Sequence, residues 1–433
     1  MEPSVIAISI MALLFVLLAM GMPIGFAMAT AGFFGSALLI DMEAALALLG
    51  QTAFETAITY DLSVVPLFVL MGYFATSSGL SEGLFRACNT WLGHRRGGLA
   101  LATIGGCGAF AAICGSSLAT AATMSQVALP EMRRYGYDER LATGSIAAGG
   151  TIGILIPPSV ILVLYGILTE TSISELFLAG VVPGILTVIA FMTTVSIVTR
   201  INPELGPRGK RFSGMDKLRA FKDVWGTVLL FLLVIGGIYM GIFTPTEAAG
   251  IGATGALSLA VLARRMSFAI LLNCLMDTVR TTSMIFTILI GAIIFNNFLV
   301  LSGVPDAIGE WVEGLPLSKH AILIVILLIY VVMGCALDSL AMILLSIPIF
   351  FPVVSNLGFD PVWFGVIVVM VVELGLITPP IGMNVFIIKG MVPDVPLGAI
   401  YLGVLPFVLA QILLIAILVA LPALALWLPQ SMG

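Results

Sequence analysis

Small polar residues lie in the middle of two long apolar stretches of the chain, where their oxygen atoms could hold a cation. The first stretch is CGSSLAT (114–120) and the second is CALDSLA (335–341). Serine hydroxyls and the carboxylate of Asp338 are hard oxygen ligands, which suit a small cation. Of the 433 residues, 60% are hydrophobic and only 9% are charged. Both stretches are therefore predicted to lie at membrane depth, where polar groups must face protein or a water-filled cavity.

Each polar stretch is predicted to be the tip of a helical hairpin that enters the membrane and returns to the same side. The first hairpin would span 97–134, and its two arms of about 16 residues would each measure about 24 Å, short of the ~30 Å hydrocarbon core. Basic residues bracket this hairpin, and the positive-inside rule favours placing them on one side. The second hairpin would span 320–355. For the first hairpin, the alternative is a pair of short crossing helices joined by a polar connection.

Two later spans, 141–168 and 361–388, are each interrupted by a pair of prolines. Proline has no N–H, so the carbonyl groups four residues earlier lose their helical donors. Free carbonyls beside hydroxyls and a carboxylate at the midplane predict two Na+ sites, one in each half. The predicted ligands are Ser116, Ser117, Gly153 and Ile154 beside the break at Pro157 and Pro158, and Asp338, Ser339, Gly375 and Leu376 beside the break at Pro379 and Pro380.

Simpler interpretations of these residues stay open. Ser117, Asp338 or Ser339 could cap the second helix of its hairpin, a role that does not exclude contact with an ion. The proline pairs could merely kink their spans. Glu373, an acid within the second interrupted span, could be a proton-linked group, a partner of an ion ligand or a structural hydrogen-bonding residue. The helix N-termini after the two tips could face an anionic substrate.

The second half of the chain repeats the first at a constant offset, which pairs Ser117 with Ser339 and Pro157 with Pro379. In an ungapped comparison of 117–163 with 339–385, ten of the 47 positions are identical, and they include tip serines, glycines and both proline pairs. Five crossings and one hairpin in each half predict an inverted repeat, because an odd number of crossings turns the second copy over. The predicted units are a first repeat at 1–200, a linker at 201–223 and a second repeat at 224–433.

The basic residues set the predicted orientation. With the N-terminus outside, 17 of the 18 lysines and arginines lie on the cytoplasmic side, and Lys319 is the exception. Both termini are then predicted outside the cell membrane and the linker inside. The acidic segment 41–61 is expected to be an outer loop. The third span of the second half is expected at 281–301, and the last span at 396–428.

Four motifs follow one another along the chain: CGSSLATAATM and GGTIGILIPPS in the first half, then FTPTEAAG and TPPIGMNVF in the second. With them, essentially the whole chain resembles the large membrane subunit (M, DctM-type) of tripartite ATP-independent periplasmic (TRAP) transporters. The resemblance implies the fold of the ion-transporter superfamily, with a scaffold and a moving transport domain. It also implies an elevator mechanism, Na+ as the coupling ion, no organic cofactor, and import of a carboxylate-bearing organic acid.

The resemblance further implies partners, a location and substrate contacts. The partners would be a small four-helix membrane subunit (Q type) and a periplasmic substrate-binding protein (P type). Both are expected to be separate polypeptides, and the location is expected to be the bacterial inner membrane. The residues on the substrate side would be Gly115, Ser159, Thr378, Gly382 and Asn384.

Other classes of protein compete with this interpretation. A stand-alone Na+- or H+-coupled di- or tricarboxylate symporter of the same superfamily would need no binding protein. A passive channel would need a continuous polar pore, whereas the polar residues here gather at one depth. An enzyme is not expected, because His94 and His320 both lie at helix ends and no nucleophile has a base nearby. The sequence shows no basic and aromatic face for nucleic acid.

Overall fold

Every regular element of the chain is helical in the residues that a computed structural model describes, 3–314, 316–335 and 337–431. Ala336, which belongs to the second predicted tip, lies outside those residues. The first half contains α1 (Pro3–Ala19), α2 (Ile24–Leu39), α3 (Met42–Ile58), α4 (Val64–Ser77), α5 (Leu80–Leu92), α6 (Gly98–Cys114), α7 (Ser117–Arg134), α8 (Glu139–Thr151), α9 (Val160–Thr169) and α10 (Ile173–Ile201). The second half contains α11 (Gly214–Tyr239), α12 (Pro245–Leu262), α13 (Phe268–Leu301), α14 (Val304–Glu313), α15 (Lys319–Gly334), α16 (Ser339–Asn356), α17 (Pro361–Gly375), α18 (Met383–Met391), α19 (Leu397–Ala420) and α20 (Ala423–Gln430).

The helix boundaries follow the offset found in the sequence. The offset that pairs Ser117 with Ser339 relates both the starts and the ends of helices α7 and α16, and it also relates the starts of α8 and α17. Helices α6, α9 and α10 correspond in order to α15, α18 and α19. The repetition thus extends from single residues to whole elements. The inversion of one half relative to the other, and the division of the chain at 201–223, stay predictions.

The helices have the length and the surface of membrane-spanning segments. Five stretches of the described residues are long and apolar enough to cross a membrane as single helices: Tyr60–Ser77, Ile173–Ile201, Phe268–Leu301, Ser339–Asn356 and Leu397–Ala420. Helices α1 and α2 are apolar but have only 17 and 16 residues. Many leucine, isoleucine and phenylalanine side chains on these helices are exposed, which suits contact with lipid. The prediction of an all-α, multi-pass membrane protein is confirmed, whereas the number of crossings stays a prediction.

Helices α6 and α7 form a hairpin whose two ends meet. The Tyr137 hydroxyl, just after α7, accepts a hydrogen bond from the N–H of Leu99 at 3.0 Å, at the start of α6. The same hydroxyl donates to the carbonyl of Pro207 at 2.9 Å. One side chain therefore joins the base of the first hairpin to the segment between the two halves.

Helices α15 and α16 form the corresponding hairpin in the second half. Phe359, just after α16, packs against the two residues that begin α15. Its ring centre lies 5.8 Å from that of His320 and 5.3 Å from Nζ of Lys319, a cation–π distance. This base is held by aromatic contacts rather than by a shared hydroxyl.

The predicted linker is partly ordered by backbone hydrogen bonds to the first half. The Gly206 carbonyl accepts from the N–H of Gly97 at 2.9 Å, and the N–H of Gly209 donates to the Gly93 carbonyl at 2.8 Å. Helix α11 begins at Gly214, inside the predicted linker. A reciprocal capping box between Ser213 and Asp216 starts the helix there.

The segment 41–61, expected to be a loop, is instead mostly the helix α3. The Asp41 side chain accepts a hydrogen bond from the N–H of Ala44 at 2.7 Å and so caps this helix. The run after Asp41 is rich in alanine and leucine, which are strong helix formers. Few side chains of α3 are buried, so it has the exposure of a surface helix. Its acidic residues suggested a loop and outweighed the helix-forming tendency of its alanines and leucines in the sequence-based prediction.

Two predicted spans also have different limits in the structure. Helix α13 begins at Phe268 rather than at 281 and continues for 34 residues. Ser267 caps it, since its side chain accepts from the N–H of Ile270 at 3.3 Å. The last predicted span, 396–428, is broken into α19 and α20, because Pro422 has no N–H with which to continue the helix.

Helix α13, which carries part of one wall of the site, packs closely against α2 and α4. A Cβ atom at Gly32 of α2 would lie 2.7 Å from the backbone of Phe295 in α13. Helix α13 also packs against α4, and the Tyr73 hydroxyl of α4 lies 2.8 Å from the Thr281 hydroxyl of α13. Small residues that let helix backbones approach are typical of membrane helix packing. Helices α4 and α13 are thereby held side by side.

Candidate functional site: the two hairpin tips

The first tip is built by a glycine that follows one helix and a serine that begins the next. Gly115 has φ of +63°, the left-handed conformation that favours glycine after a helix. The Ser116 hydroxyl accepts a hydrogen bond from the N–H of Ala119 at 3.4 Å and so caps α7. Ser117 takes no part in this cap. Capping and any ion contact can therefore fall to different residues.

The second tip repeats this arrangement with an acid in the capping position. The Asp338 carboxylate accepts a hydrogen bond from the N–H of Ala341 at 2.6 Å and caps α16. Ser339 is the first residue of α16 and occupies the place that Ser117 has in the first half. Only one oxygen of the Asp338 carboxylate is used by the cap. The other oxygen has no hydrogen bond to any residue that the structure describes, and it could make a further contact.

The first proline break is closed by a serine. After α8 the backbone forms a short 3-10 turn at Ile152–Ile154, and the Pro157–Pro158 bond that follows is cis. The Ser159 hydroxyl donates to the Ile154 carbonyl at 2.5 Å and accepts from the N–H of Leu162 at 3.3 Å. The expectation that the Ile154 carbonyl lacks a donor is thus wrong, because a hydroxyl replaces the missing N–H. One lone pair remains on that oxygen.

At the second proline break, the carbonyls of Gly375 and Leu376 each accept one hydrogen bond. The Gly375 carbonyl accepts from the N–H of Thr378 at 3.2 Å, and the Leu376 carbonyl accepts from the N–H of Asn384 at 3.0 Å. These donors replace the helical N–H groups that the prolines lack, so these two carbonyls are not donor-free either. A carbonyl oxygen has two lone pairs. Each can still take part in binding an ion.

Each tip lies directly against the break in its own half. A Cβ atom at Gly153 would lie 2.6 Å from the Ser116 carbonyl oxygen, and one at Gly115 would lie 2.6 Å from the Pro158 carbonyl oxygen. In the second half, a Cβ at Gly375 would lie 2.6 Å from Cα of Gly334. Only glycine leaves room for these approaches. The tip and the break are thus in contact in the first half, and in the second half the residue just before the tip meets the helix that leads into the break.

Residues of both tips line a single cavity of about 420 Å³. Its walls come from the start of α7, the start of α16, the first proline break, and helices α4 and α13. The lining residues used below are Ser116, Ser117, Ser339, Tyr73, Thr76 and Thr281. No charged side chain is among the described residues that line it. Most of the lining is apolar, and its polar part comes from hydroxyl groups, the Gln126 side chain and helix ends.

Some residues predicted on the substrate side do not line this cavity. Gly115 does, but Thr378 and Gly382 do not. The Thr378 hydroxyl donates to the Leu374 carbonyl at 2.6 Å. Ser159 is fully buried in the hydrogen bonds described above. These positions lie at the two breaks rather than at the cavity wall.

Asn384 joins the second break to the first half of the chain. Its side chain is fully buried and donates to the Ala147 carbonyl in α8 at 3.2 Å. The two proline pairs differ in their surroundings: Pro157 and Pro158 are buried, whereas Pro379 and Pro380 are exposed. The two halves therefore share a backbone plan but not an environment.

Glu373 is fully buried and hydrogen-bonded to a neighbouring helix. One of its carboxyl oxygens lies 3.2 Å from Nε2 of Gln411 in α19. Its other oxygen has no hydrogen-bond partner among the described residues. This contact is compatible with a role for Glu373 as a structural hydrogen-bonding residue. Neither Glu373 nor Gln411 lines the cavity between the tips.

Sequence reasoning missed the cavity wall opposite the tips. Tyr73 and Thr76 lie one turn apart on α4, and Thr281 lies on α13. Single hydroxyl residues in apolar spans are common, so nothing in their local sequence distinguishes them. Only the packing of α4 against α13 places them in one wall.

The fold is that of a solved membrane protein. The structure is similar to the crystal structure of the YdaH transporter of Alcanivorax borkumensis, with a TM-score of 0.62, 16% sequence identity and 91% coverage of each chain. The family model described as "Tripartite ATP-independent periplasmic transporter, DctM component" matches residues 11–424. The chain belongs to this family, as its motifs predicted.

Curated relatives of the chain carry several substrate names. It is 39% identical over 382 residues to the C4-dicarboxylate TRAP transporter large permease protein DctM of Pseudomonas aeruginosa, covering 88% of each chain. It is 31% identical to the sialic acid TRAP transporter large permease protein SiaM of Vibrio cholerae, covering 96% of each. It is also 34% identical to the isethionate TRAP transporter permease protein DctMQ of Oleidesulfovibrio alaskensis, covering 87% of this chain and 59% of that one.

Proposed function

We propose that the chain is the membrane-embedded permease subunit of a Na+-coupled importer of a carboxylate-bearing organic acid. A periplasmic binding protein delivers the acid, and a transport domain that carries both tips moves it inward by an elevator motion. The observation that carries this proposal is the single cavity into which both tips open. Its volume suits a small organic ligand.

The oxygen atoms around the tips fit two Na+ sites. Na+ is a hard cation that prefers hydroxyl, carbonyl and carboxylate oxygens, as Ca2+ and Mg2+ do. The first site would use Ser117 and the carbonyl oxygens of Gly153 and Ile154, with Ser116 chiefly capping α7. The second would use the free oxygen of Asp338, the Ser339 hydroxyl, and the carbonyls of Gly375 and Leu376. A bound cation supplies positive charge beside the cavity, which favours an anionic substrate.

The tips themselves offer further attraction for an anion. The first N–H groups of a helix have no helical partner, and the helix dipole makes that end positive. Helices α7 and α16 both begin at the cavity. A substrate carboxylate between the tips would accept hydrogen bonds from these amides, with Gly115 allowing close approach. Ser159, Thr378, Gly382 and Asn384 would hold the breaks in shape beside it.

Transport assays test this function. The permease would be reconstituted in proteoliposomes with its small membrane subunit, and a panel of organic acids would be offered with the binding protein. We expect uptake with an inward Na+ gradient and little uptake when choline replaces Na+, because the tip sites need the cation. Equal uptake in choline would contradict Na+ coupling. Full uptake without the binding protein would favour the stand-alone symporter.

The proposed orientation, with both termini periplasmic and the linker cytoplasmic in the bacterial inner membrane, makes a prediction for labelling. A cysteine replacing Ser213, which is exposed at the start of α11, should react with an impermeant reagent only from the cytoplasmic side. A cysteine replacing the exposed Glu55 of α3 should react only from the periplasmic side. The parent protein is the control, since Cys88 is half-buried and the other cysteines are buried. The reverse labelling pattern would invert the topology.

A further inference from the structure

The wall of the cavity opposite the tips carries a pair of hydroxyl groups with one unused hydrogen-bond donor. The Tyr73 hydroxyl of α4 and the Thr281 hydroxyl of α13 lie 2.8 Å apart, and both residues line the cavity. Each hydroxyl has one hydrogen to donate. In the pair, one hydroxyl donates to the other. The hydrogen of the second hydroxyl is then left without an acceptor in the described part of the chain.

The spare donor faces the contents of the cavity. Both side chains are half-buried and line the cavity, so the free hydrogen is available to water or to an acceptor atom of a bound ligand. The neighbouring Thr76 cannot serve in the same way, because its hydroxyl already donates to the Gly72 carbonyl at 2.8 Å. The Tyr73–Thr281 pair is therefore the donor that this wall offers to the cavity.

The two walls differ in what they can bind. The tip wall has amide groups and proposed Na+ sites, which suit a full negative charge. The opposite wall has neutral hydroxyls, one of which carries the free hydrogen, and the apolar Ile285. A carboxylate on the tip wall would leave the other end of a small acid facing Tyr73 and Thr281.

We propose that the Tyr73–Thr281 pair binds a second oxygen function of the substrate, so that the permease selects acids with a polar group at both ends. This inference rests on the proposed function and adds the substrate class to it. The acceptor on the acid is a second carboxylate, a hydroxyl or a carbonyl oxygen. An acid with an apolar far end leaves the spare hydrogen unpaired and binds more weakly.

Binding of matched acids to the purified permease tests the assignment. The probes are succinate, L-malate and sialic acid, which have polar far ends, and butyrate, which shares the four-carbon skeleton of succinate but ends in a methyl group. Affinity would be measured in NaCl from the concentration dependence of thermal stabilisation. The variants are Tyr73→Phe and Thr281→Val, which keep size and each remove one hydroxyl, and the double variant, which removes both.

We expect the wild-type protein to bind at least one of the polar-ended acids more tightly than butyrate. The double variant, which removes both hydroxyl hydrogens, should weaken that binding about ten-fold, the effect of losing one hydrogen bond to a charged group, and leave butyrate binding unchanged. Each single variant keeps one hydroxyl hydrogen and should lose less. Thr281→Ser, which keeps the hydroxyl, should retain the preference. Thr282→Val is the matched control, because Thr282 is next to Thr281 in the chain but does not line the cavity.

Three results would overturn the assignment. Unchanged binding of the polar-ended acids by the double variant would remove the pair from the site. An equal loss for all four acids would show that the pair only holds α4 against α13. A wild-type preference for butyrate would exclude a second polar contact. If the wild-type protein binds none of the four acids in Na+, the proposed function fails, and this inference fails with it.

Discussion

Replacing Asp338 by asparagine should abolish most Na+-dependent uptake while leaving the fold intact. The carboxylate is the only formal negative charge proposed at either ion site, and losing a charged contact costs about 10- to 100-fold in affinity. Asparagine caps a helix about as well as aspartate, so the bond to the N–H of Ala341 should survive. The measurement is initial uptake rate against Na+ concentration in proteoliposomes.

Asp360→Asn provides the matched control for this variant. Asp360 caps α17 in the same manner, accepting from the N–H of Trp363 at 2.9 Å, but it lies at the far end of that helix from the break. Uptake by the Asp360→Asn variant should depend on Na+ concentration as it does in the wild type. If Asp338→Asn also responds to Na+ as the wild type does, Asp338 is a cap and not an ion ligand.

Replacing Gly153 by alanine should lower transport about ten-fold or more, because it forces the first tip away from its break. The added Cβ would lie 2.6 Å from the Ser116 carbonyl oxygen and 2.9 Å from the Thr120 hydroxyl. The first of these atoms belongs to the backbone and cannot turn aside. The shift would also move the carbonyl groups of the first ion site. Uptake rate and the midpoint of thermal unfolding would both be measured.

The control for this variant is Gly250→Ala in α12, where a Cβ would meet no atom within 4 Å. Alanine favours a helix over glycine by about 1 kcal/mol, so this change should not destabilise the protein, and transport should be unaffected. Wild-type transport by Gly153→Ala would mean that contact between tip and break does not matter for function. A fall in both variants would point to a general effect of added methyl groups.

The features that could be predicted from the sequence are those fixed by local backbone chemistry. Proline pairs interrupt a helix wherever they occur, and glycine followed by serine ends one helix and starts another. These rules located the tips and breaks, and the constant offset between the halves showed that they recur. The same local rules failed for α3, where acidic residues suggested a loop although Asp41 caps a helix.

The features that could not be predicted depend on packing between distant residues. The Ser159 hydroxyl fills the gap left at the Ile154 carbonyl, which counting proline N–H groups alone does not show. Asn384 reaches the Ala147 carbonyl across 237 positions of sequence. The wall formed by Tyr73 and Thr281 is of the same kind. Such contacts arise only when helices from both halves meet.

The hydrogen bonds between the segment joining the two halves and the base of the first hairpin limit how the chain could be divided. Gly206 and Gly209 are bonded to Gly97 and Gly93, and Pro207 is bonded to Tyr137. A cut that divides the chain into two polypeptides would keep these bonds within one polypeptide if it fell after Gly209, and it would keep the capping box of α11 intact if it fell before Ser213. By its hydrogen bonds, the joining segment belongs with the first half.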